Sequence, residues 1–397
     1  MENSNSERVD LVCFSHLRWD SVFQRPHHLM TRFARERRVF FVEEPVREPG
    51  AAYMQISRRE DGIRVATPHL PPELSPGESE KVKRQLLSNM RDEYGVRDSI
   101  LWFYTPMAVP LARDFRAAAV VYDCMDELSA FAGAPQALRE REEELFHRAD
   151  LVFTGGQSLY EAKRGKHPSV HLFPSSVEAG HFSRARLALP EPRDQAPIPH
   201  PRLGFFGVID ERMDLDLIRG LAQARPDWHL VLLGPVVKIN PTALPRRANI
   251  HYPGPKPYSQ LPAYLAGWDV ALLPFARNEA TRFISPTKTP EYLAGGKRVV
   301  STGIRDVVRP YAEAGLVRIA DTLPDFIAAV EASLSAIDEL PEWQRRVEAF
   351  LARTSWDKTW EEMCELTENG IAARRLDVVR GMNAVPSTAA LSAAAGQ

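Results

Sequence analysis

Short apolar runs alternate along the chain with amphipathic stretches, and the alternation predicts repeated β-α units around a mainly parallel sheet. The first run is Val9–Phe14, followed by a helix over Gln24–Glu36 and a strand over Arg38–Val42. Tyr53–Ser57 and Ile63–Thr67 read as short strands, and Thr67–Ser79, with four prolines, as a loop. A helix over Glu80–Tyr94, strands at Ser99–Tyr104 and Ala117–Tyr122, a helix over Pro135–Arg148 and strands at Leu151–Thr154 and Val170–Phe173 complete a first half. Periodicity is lost over His181–Pro201, which holds five prolines and reads as a linker. A second series then begins. It has strands at Arg202–Phe206, Trp228–Leu233, Asn249–Tyr252, Asp269–Leu273 and Arg298–Ser301, and helices at Leu215–Ala224, Tyr258–Gly267 and Pro286–Ala294. Asp321–Arg375 is helical in pattern, and the small-residue end from Val379 predicts disorder.

These elements divide the chain into domains at 1–180 and 202–355, a linker at 181–201, a C-terminal helix at 356–376 and a disordered tail at 377–397. The length of 397 residues suits two such domains. In open α/β sheets ligands sit beyond the carboxyl ends of the strands, so the expected site is the cleft between the halves.

Composition narrows the function classes. Lys and Arg total 50 and Asp and Glu 52, so no global charge favours nucleic acid. No apolar run is long enough for a membrane span, and Met1–Asp10 is too polar for a secretory signal. The three scattered cysteines fit a reducing cytoplasm rather than a disulfide framework. No Cys/His spacing suggests a metal, and no G-x-G-x-x-G or complete P-loop is present. Asp214-Leu215-Asp216 has a D-x-D form but reads as a helix N-cap with an acid in the first turn.

The most informative segment is Ser285–Ser301. Ser285 and Pro286 read as a helix start and Gly295-Gly296 as its end. Thr287 and Lys288 put a hydroxyl and a cation in the first turn, where lysine opposes the helix dipole unless an anion binds there. Glu291 can accept both hydroxyls of a ribose. An ordinary capped helix with solvated charges is the plainer reading of the same residues.

The stretch Glu291–Thr302, EYLAGGKRVVST, resembles the EYLA-x-GKPVVST signature of GT-B glycosyltransferases, close to family 4. WDSVFQRPHHL (19–29), VYDCMDE (121–127), ADLVFTGGQSLYEAK (149–163), HLFPSSVEAGHF (171–182), GFFGVIDERMDLDLI (204–218) and WDVALLPF (268–275) match in order, nearest to a bacterial branch with teichuronic-acid-type enzymes. The resemblance implies an α/β GT-B fold: two Rossmann-like doubly wound domains facing a central cleft. It implies hexosyl transfer from a nucleotide-diphosphate sugar to an acceptor hydroxyl, with retention, and with no metal or further cofactor. Glu291 matches the second glutamate of the family's E-x7-E motif, whereas the first position is Phe283. Gly207, Arg212, Gly254, Ser285, Thr287 and Lys288 fall on the donor-binding segments.

The cleft also carries polar and aromatic residues from the first half. His16, Arg18, Trp19 and Arg25 lie beyond the first strand as acceptor-binding candidates, Trp19 for stacking and Arg25 for phosphate, or as surface residues. Asp123 and Asp126 follow a strand and are candidates for the general base, or for an Asx turn. The basic stretch Arg25–Arg38 is either a solvated face or a peripheral contact with an anionic inner leaflet. The acceptor is a glycan, a lipid-linked sugar or a small molecule. A nucleotide-sugar epimerase and a non-catalytic nucleotide-sugar-binding protein are the alternative readings.

Overall fold

The computed structural model describes residues 9–131, 133–336 and 339–383, and these form two sheets, each with its own core. The first contains β1 (Asp10–Phe14), β2 (Val39–Val42), β3 (Val46–Arg47), β4 (Tyr53–Arg58), β5 (Arg64–Leu70), β6 (Asp98–Phe103), β7 (Arg116–Cys124), β8 (Leu151–Thr154) and β9 (Val170–Leu172). Its order is β3-β5-β2-β1-β6-β7-β8-β9, with β4 paired antiparallel to β5 and every other pairing parallel. The second contains β10 (Arg202–Phe206), β11 (His229–Leu233), β12 (Ile250–Gly254), β13 (Val270–Leu273), β14 (Arg298–Ser301) and β15 (Val317–Ile319), in the order β12-β11-β10-β13-β14-β15, all parallel.

The apolar runs become strands buried on both faces, as parallel sheets require. Along β1, Leu11 and Cys13 pack into the cluster on one face of the first sheet and Val12 and Phe14 into the cluster on its other face, the period of two expected of a strand. Strand order reverses between β1 and β6 in one sheet and between β10 and β13 in the other. At such a reversal the loops beyond the carboxyl ends part and leave a crevice. The two crevices face one another: loop residues 22–25 after β1 and 207–212 after β10 line shared cavities.

Several segments depart from the sequence reading. The proline-rich stretch 67–79 is mostly regular: β5 runs to Leu70, and a helix starts at Pro76 behind a capping box of Ser75 and Glu78. The stretch 181–201 is packed rather than a free linker. Phe182, Ala185 and Ile198 belong to the second core, and fully buried Gln195 accepts from Trp268 Nε1 and donates to the Tyr264 carbonyl. The last helix runs over Trp356–Asn383, so 377–383 is helical, while 384–397 lies outside the described residues. This helix packs on β7 and on the helix Arg25–Phe33, placing Trp356, Met363 and Ile371 in the first domain's core.

The basic stretch 25–38 does not form a cationic face. Arg32 pairs with Asp357 and Glu178, Arg35 with Asp357, Arg37 with Glu368 and Arg38 with Asp10. Four arginines are thereby neutralised by acids, three of them through the C-terminal helix. Among the described residues no helix is long and apolar enough to cross a membrane.

Candidate functional site

Two adjoining cavities lie where the crevices meet. One of about 110 Å³ is lined by Phe23, Gly207, Arg212, Lys256, Tyr258 and Glu291, among others. The other, of about 80 Å³, is lined by Arg25, Asp126, Gly155, Ser175 and Ser285. Gln24, Val208, Arg212, Thr287 and Lys288 border both.

The turn after β10 brings the parts together. Gly207 has φ +141, a conformation side chains avoid, and a Cβ there would lie 2.0 Å from Lys288 Cε. Gly234, with φ +145 after β11, approaches so closely that its Cβ would fall 1.8 Å from the Gly207 oxygen. The helix Lys288–Ala294 thus places Lys288 directly over Gly207, with Nζ 5.8 Å from the centroid of the Phe205 ring. The helix begins at Lys288, with Thr287 rather than Ser285 at its cap position. Burial lowers the Lys288 pKa, and burial raises that of Glu291. Each is held by the other: Glu291 favours the charged lysine, and Lys288 favours the carboxylate.

Arg212 is held by its own loop, its Nε and Nη2 donating to the Asp210 carboxylate at 3.0 and 2.7 Å. Its guanidinium carbon lies 5.4 Å from the Phe131 ring centroid, and Lys238 Nζ lies 5.0 Å from the same ring. Lys238 has φ +59, the positive φ of a non-glycine residue. Asp126 faces this group from the first domain, and burial raises its pKa while Arg212 and Lys288 oppose the rise. Gly254 closes β12 at φ +80, its carbonyl accepting from Gly234 N–H at 3.1 Å, with Pro255 and Lys256 rather than Gly254 lining the cavity.

Other candidates are drawn elsewhere. Asp123, next to last in β7, is fully buried and accepts from Arg25 Nε at 3.0 Å, while Arg25 Nη1 donates to the Phe173 carbonyl at 2.8 Å. Neither is therefore a free base or a free phosphate contact. Trp19 packs edge-on against Phe41 in the core, with its backbone N–H donating to Glu43, and so offers no stacking face to the cleft. Arg18 pairs with the same Glu43 and donates to the Pro45 carbonyl. His16 is enclosed near Lys238 with Nδ1 unpartnered, and burial pushes its pKa down to about 4. Asp214 caps the helix Leu215–Ala224 through the Leu217 N–H, the capping role read for the D-x-D. Phe283 lines neither cavity and packs against the first domain's core. It borders an outer groove of about 680 Å³ whose arginines 277, 282 and 305 pair with Asp321, Glu279 and Glu161.

Residues not singled out from the sequence are Lys238, Asp210, Phe131 and Tyr258. The glycine pair 155–156 directly after β8 was a usable signal, since glycines at a strand's carboxyl end permit close approach.

Two enclosed histidines set an expectation for acid stability. His28, stacked on Trp356 at 4.5 Å, is pushed by burial to about 4, like His16. Both titrate near 6.5 once unfolded, so between pH 6.5 and 4 the unfolded chain binds more protons and stability falls as pH falls. Thermal unfolding from pH 7 to 4.5 is expected to show this decline, and His28→Leu to flatten it.

No family model matches the chain. A protein of Bacillus subtilis (strain 168) that bears the name of a teichuronic acid biosynthesis glycosyltransferase, TuaH, is 26% identical over 291 residues, 67% of this chain and 71% of its own. Sucrose-phosphate synthase of Thermosynechococcus elongatus superposes with a TM-score of 0.68 at 12% identity, covering 92% of this chain and all of its own. Anabaena Alr3699/HepE, solved in complex with UDP and glucose, gives 0.65 at 12% identity, covering 91% of this chain and all of its own. The fold is GT-B.

Proposed function

We propose that the chain transfers a sugar from a uridine-diphosphate sugar to an acceptor hydroxyl during assembly of a bacterial surface glycan. The observation that carries this reading is the placement of Lys288 and Glu291, one helical turn apart, over the Gly207 turn and opposite Asp126 of the other domain. Support also comes from the similarity to TuaH and from the UDP and glucose held by the Anabaena neighbour.

In this reading Glu291 accepts the ribose hydroxyls, and Lys288 with Arg212 neutralises the diphosphate as it leaves. Fixed charges in an enclosed site stabilise developing charge at little reorganisation cost. That supply of cations supports a reaction without a metal or further cofactor. Asp126 takes the proton of the acceptor hydroxyl. A single displacement by that hydroxyl inverts the anomeric carbon, in contrast to the retention that the family resemblance implies, and position 283 supplies no acid to the donor sugar.

The test is calorimetry with UDP, GDP, CDP and ADP. UDP is expected to bind, and Lys288→Ala and Glu291→Ala each to weaken it about tenfold or more, the scale of a lost charge-assisted hydrogen bond. Unchanged affinity in both variants would overturn the site.

A further inference from the structure

We propose that Asp306 is a positioning residue for the transfer, a latch that holds the C-terminal domain closed on the N-terminal domain. Asp306 belongs to the short helix Arg305–Val307 after β14 and is 4% exposed. Its Oδ1 accepts from Ser158 N–H at 3.1 Å and from Ser158 Oγ at 2.5 Å. Ser158 lies in the first turn of the helix Gln157–Lys163, which is part of the other domain. Gly156 at that helix's cap position has no side chain to satisfy the first N–H groups. The carboxylate does so across the domain boundary, and Arg305 pairs with Glu161 of the same helix at 2.5 Å.

The contact converges on the segment assigned to the diphosphate. A Cβ at Gly156 would lie 2.2 Å from Asp306 Oδ2 and 2.7 Å from Ser285 Cβ. Gly156 has φ −172, an extended conformation any residue adopts, so the close approach and not the backbone excludes a side chain. Ser175 Oγ of the N-terminal domain donates to the Ser285 carbonyl at 3.1 Å. Asp306, Gly156 and Ser175 together hold the start of the Ser285–Lys288 segment in register with the wall that carries Asp126. Displacing reacting groups by about 1 Å can cost roughly 100-fold in rate.

Asp306→Ala removes the latch, and Gly156→Ala forces the same surfaces apart while leaving the carboxylate in place. Both variants are expected to give a larger radius of gyration than wild type in small-angle scattering. Both should bind UDP nearly as wild type does, and to lose kcat by about tenfold or more with little change in donor KM. Asp306→Asn, which keeps an acceptor for the Ser158 N–H, should recover part of the kcat. Wild-type scattering from folded Gly156→Ala and Asp306→Ala would overturn the latch, as would an opened molecule with unchanged kcat. The kcat arm rests on the proposed transfer reaction. The scattering arm does not, so failure of that reading leaves the latch separately decided.

Discussion

Asp126→Asn is expected to lower turnover of the donor by a factor of about 100 to 10,000, the range attributable to a positioned general base. The same change should leave UDP affinity unchanged or raise it. Asp126 shares its cavity with Arg212 and Lys288, the two cations assigned to the diphosphate, so its negative charge opposes that of the nucleotide. Burial raises its pKa, which suits a group that must take a proton and later release it. The measurement is kcat with the nucleotide sugar identified by binding, alongside calorimetry with UDP. A parallel loss of kcat and UDP affinity would make Asp126 a binding group instead of the base.

The second large effect concerns stability. Asp123→Ala should destabilise the N-terminal domain by about 3–5 kcal/mol, because it strands the Arg25 guanidinium in the core. Arg25 and Asp123 are both nearly inaccessible, and Arg25 also ties β7 to the end of β9 through the Phe173 carbonyl. A domain stable by only about 5–15 kcal/mol loses a large share of its margin. Removing both charges with Arg25→Met and Asp123→Leu should recover much of it, since a buried pair replaced by apolar groups is often neutral. Chemical denaturation of the single and double variants checks both statements. Equal losses in Asp123→Ala and the double variant would mean that packing, not the stranded charge, sets the cost.

The parts of this molecule that a reader of the sequence can place are those governed by local pattern. Val9–Phe14, Ser99–Tyr104 and Arg202–Phe206 are continuous apolar runs, and each becomes a buried parallel strand. Lys288 and Glu291 were identifiable because their spacing along one helix is itself local. The misplacements have long-range causes. Trp19 looks like a cleft residue, and Arg25, which does line the cleft, like a free phosphate contact, yet their partners Glu43 and Asp123 lie 24 and 98 positions away. Asp306 meets Ser158 across 148 positions, and no local pattern marks it. The helix expected over Glu80–Tyr94 starts earlier, at Pro76, for another reason. Its capping box lies in Ser75 and Glu78, and the prolines around it suggest a loop although proline is at home in a first helical turn.

The C-terminal helix has a consequence for how the protein is made. Trp356, Met363 and Ile371 fill the same core as Leu11, Phe33 and Trp102. A ribosome delivers the N-terminal sheet early, but its last covering layer emerges only after the whole C-terminal domain has been synthesised. At ~5–20 residues per second the interval is on the order of 10–40 s. During that time the face presenting Phe33 and Trp102 has no permanent cover. The domain that begins synthesis first is therefore the one that completes folding last, and it is the natural client for a chaperone bound near the exit tunnel.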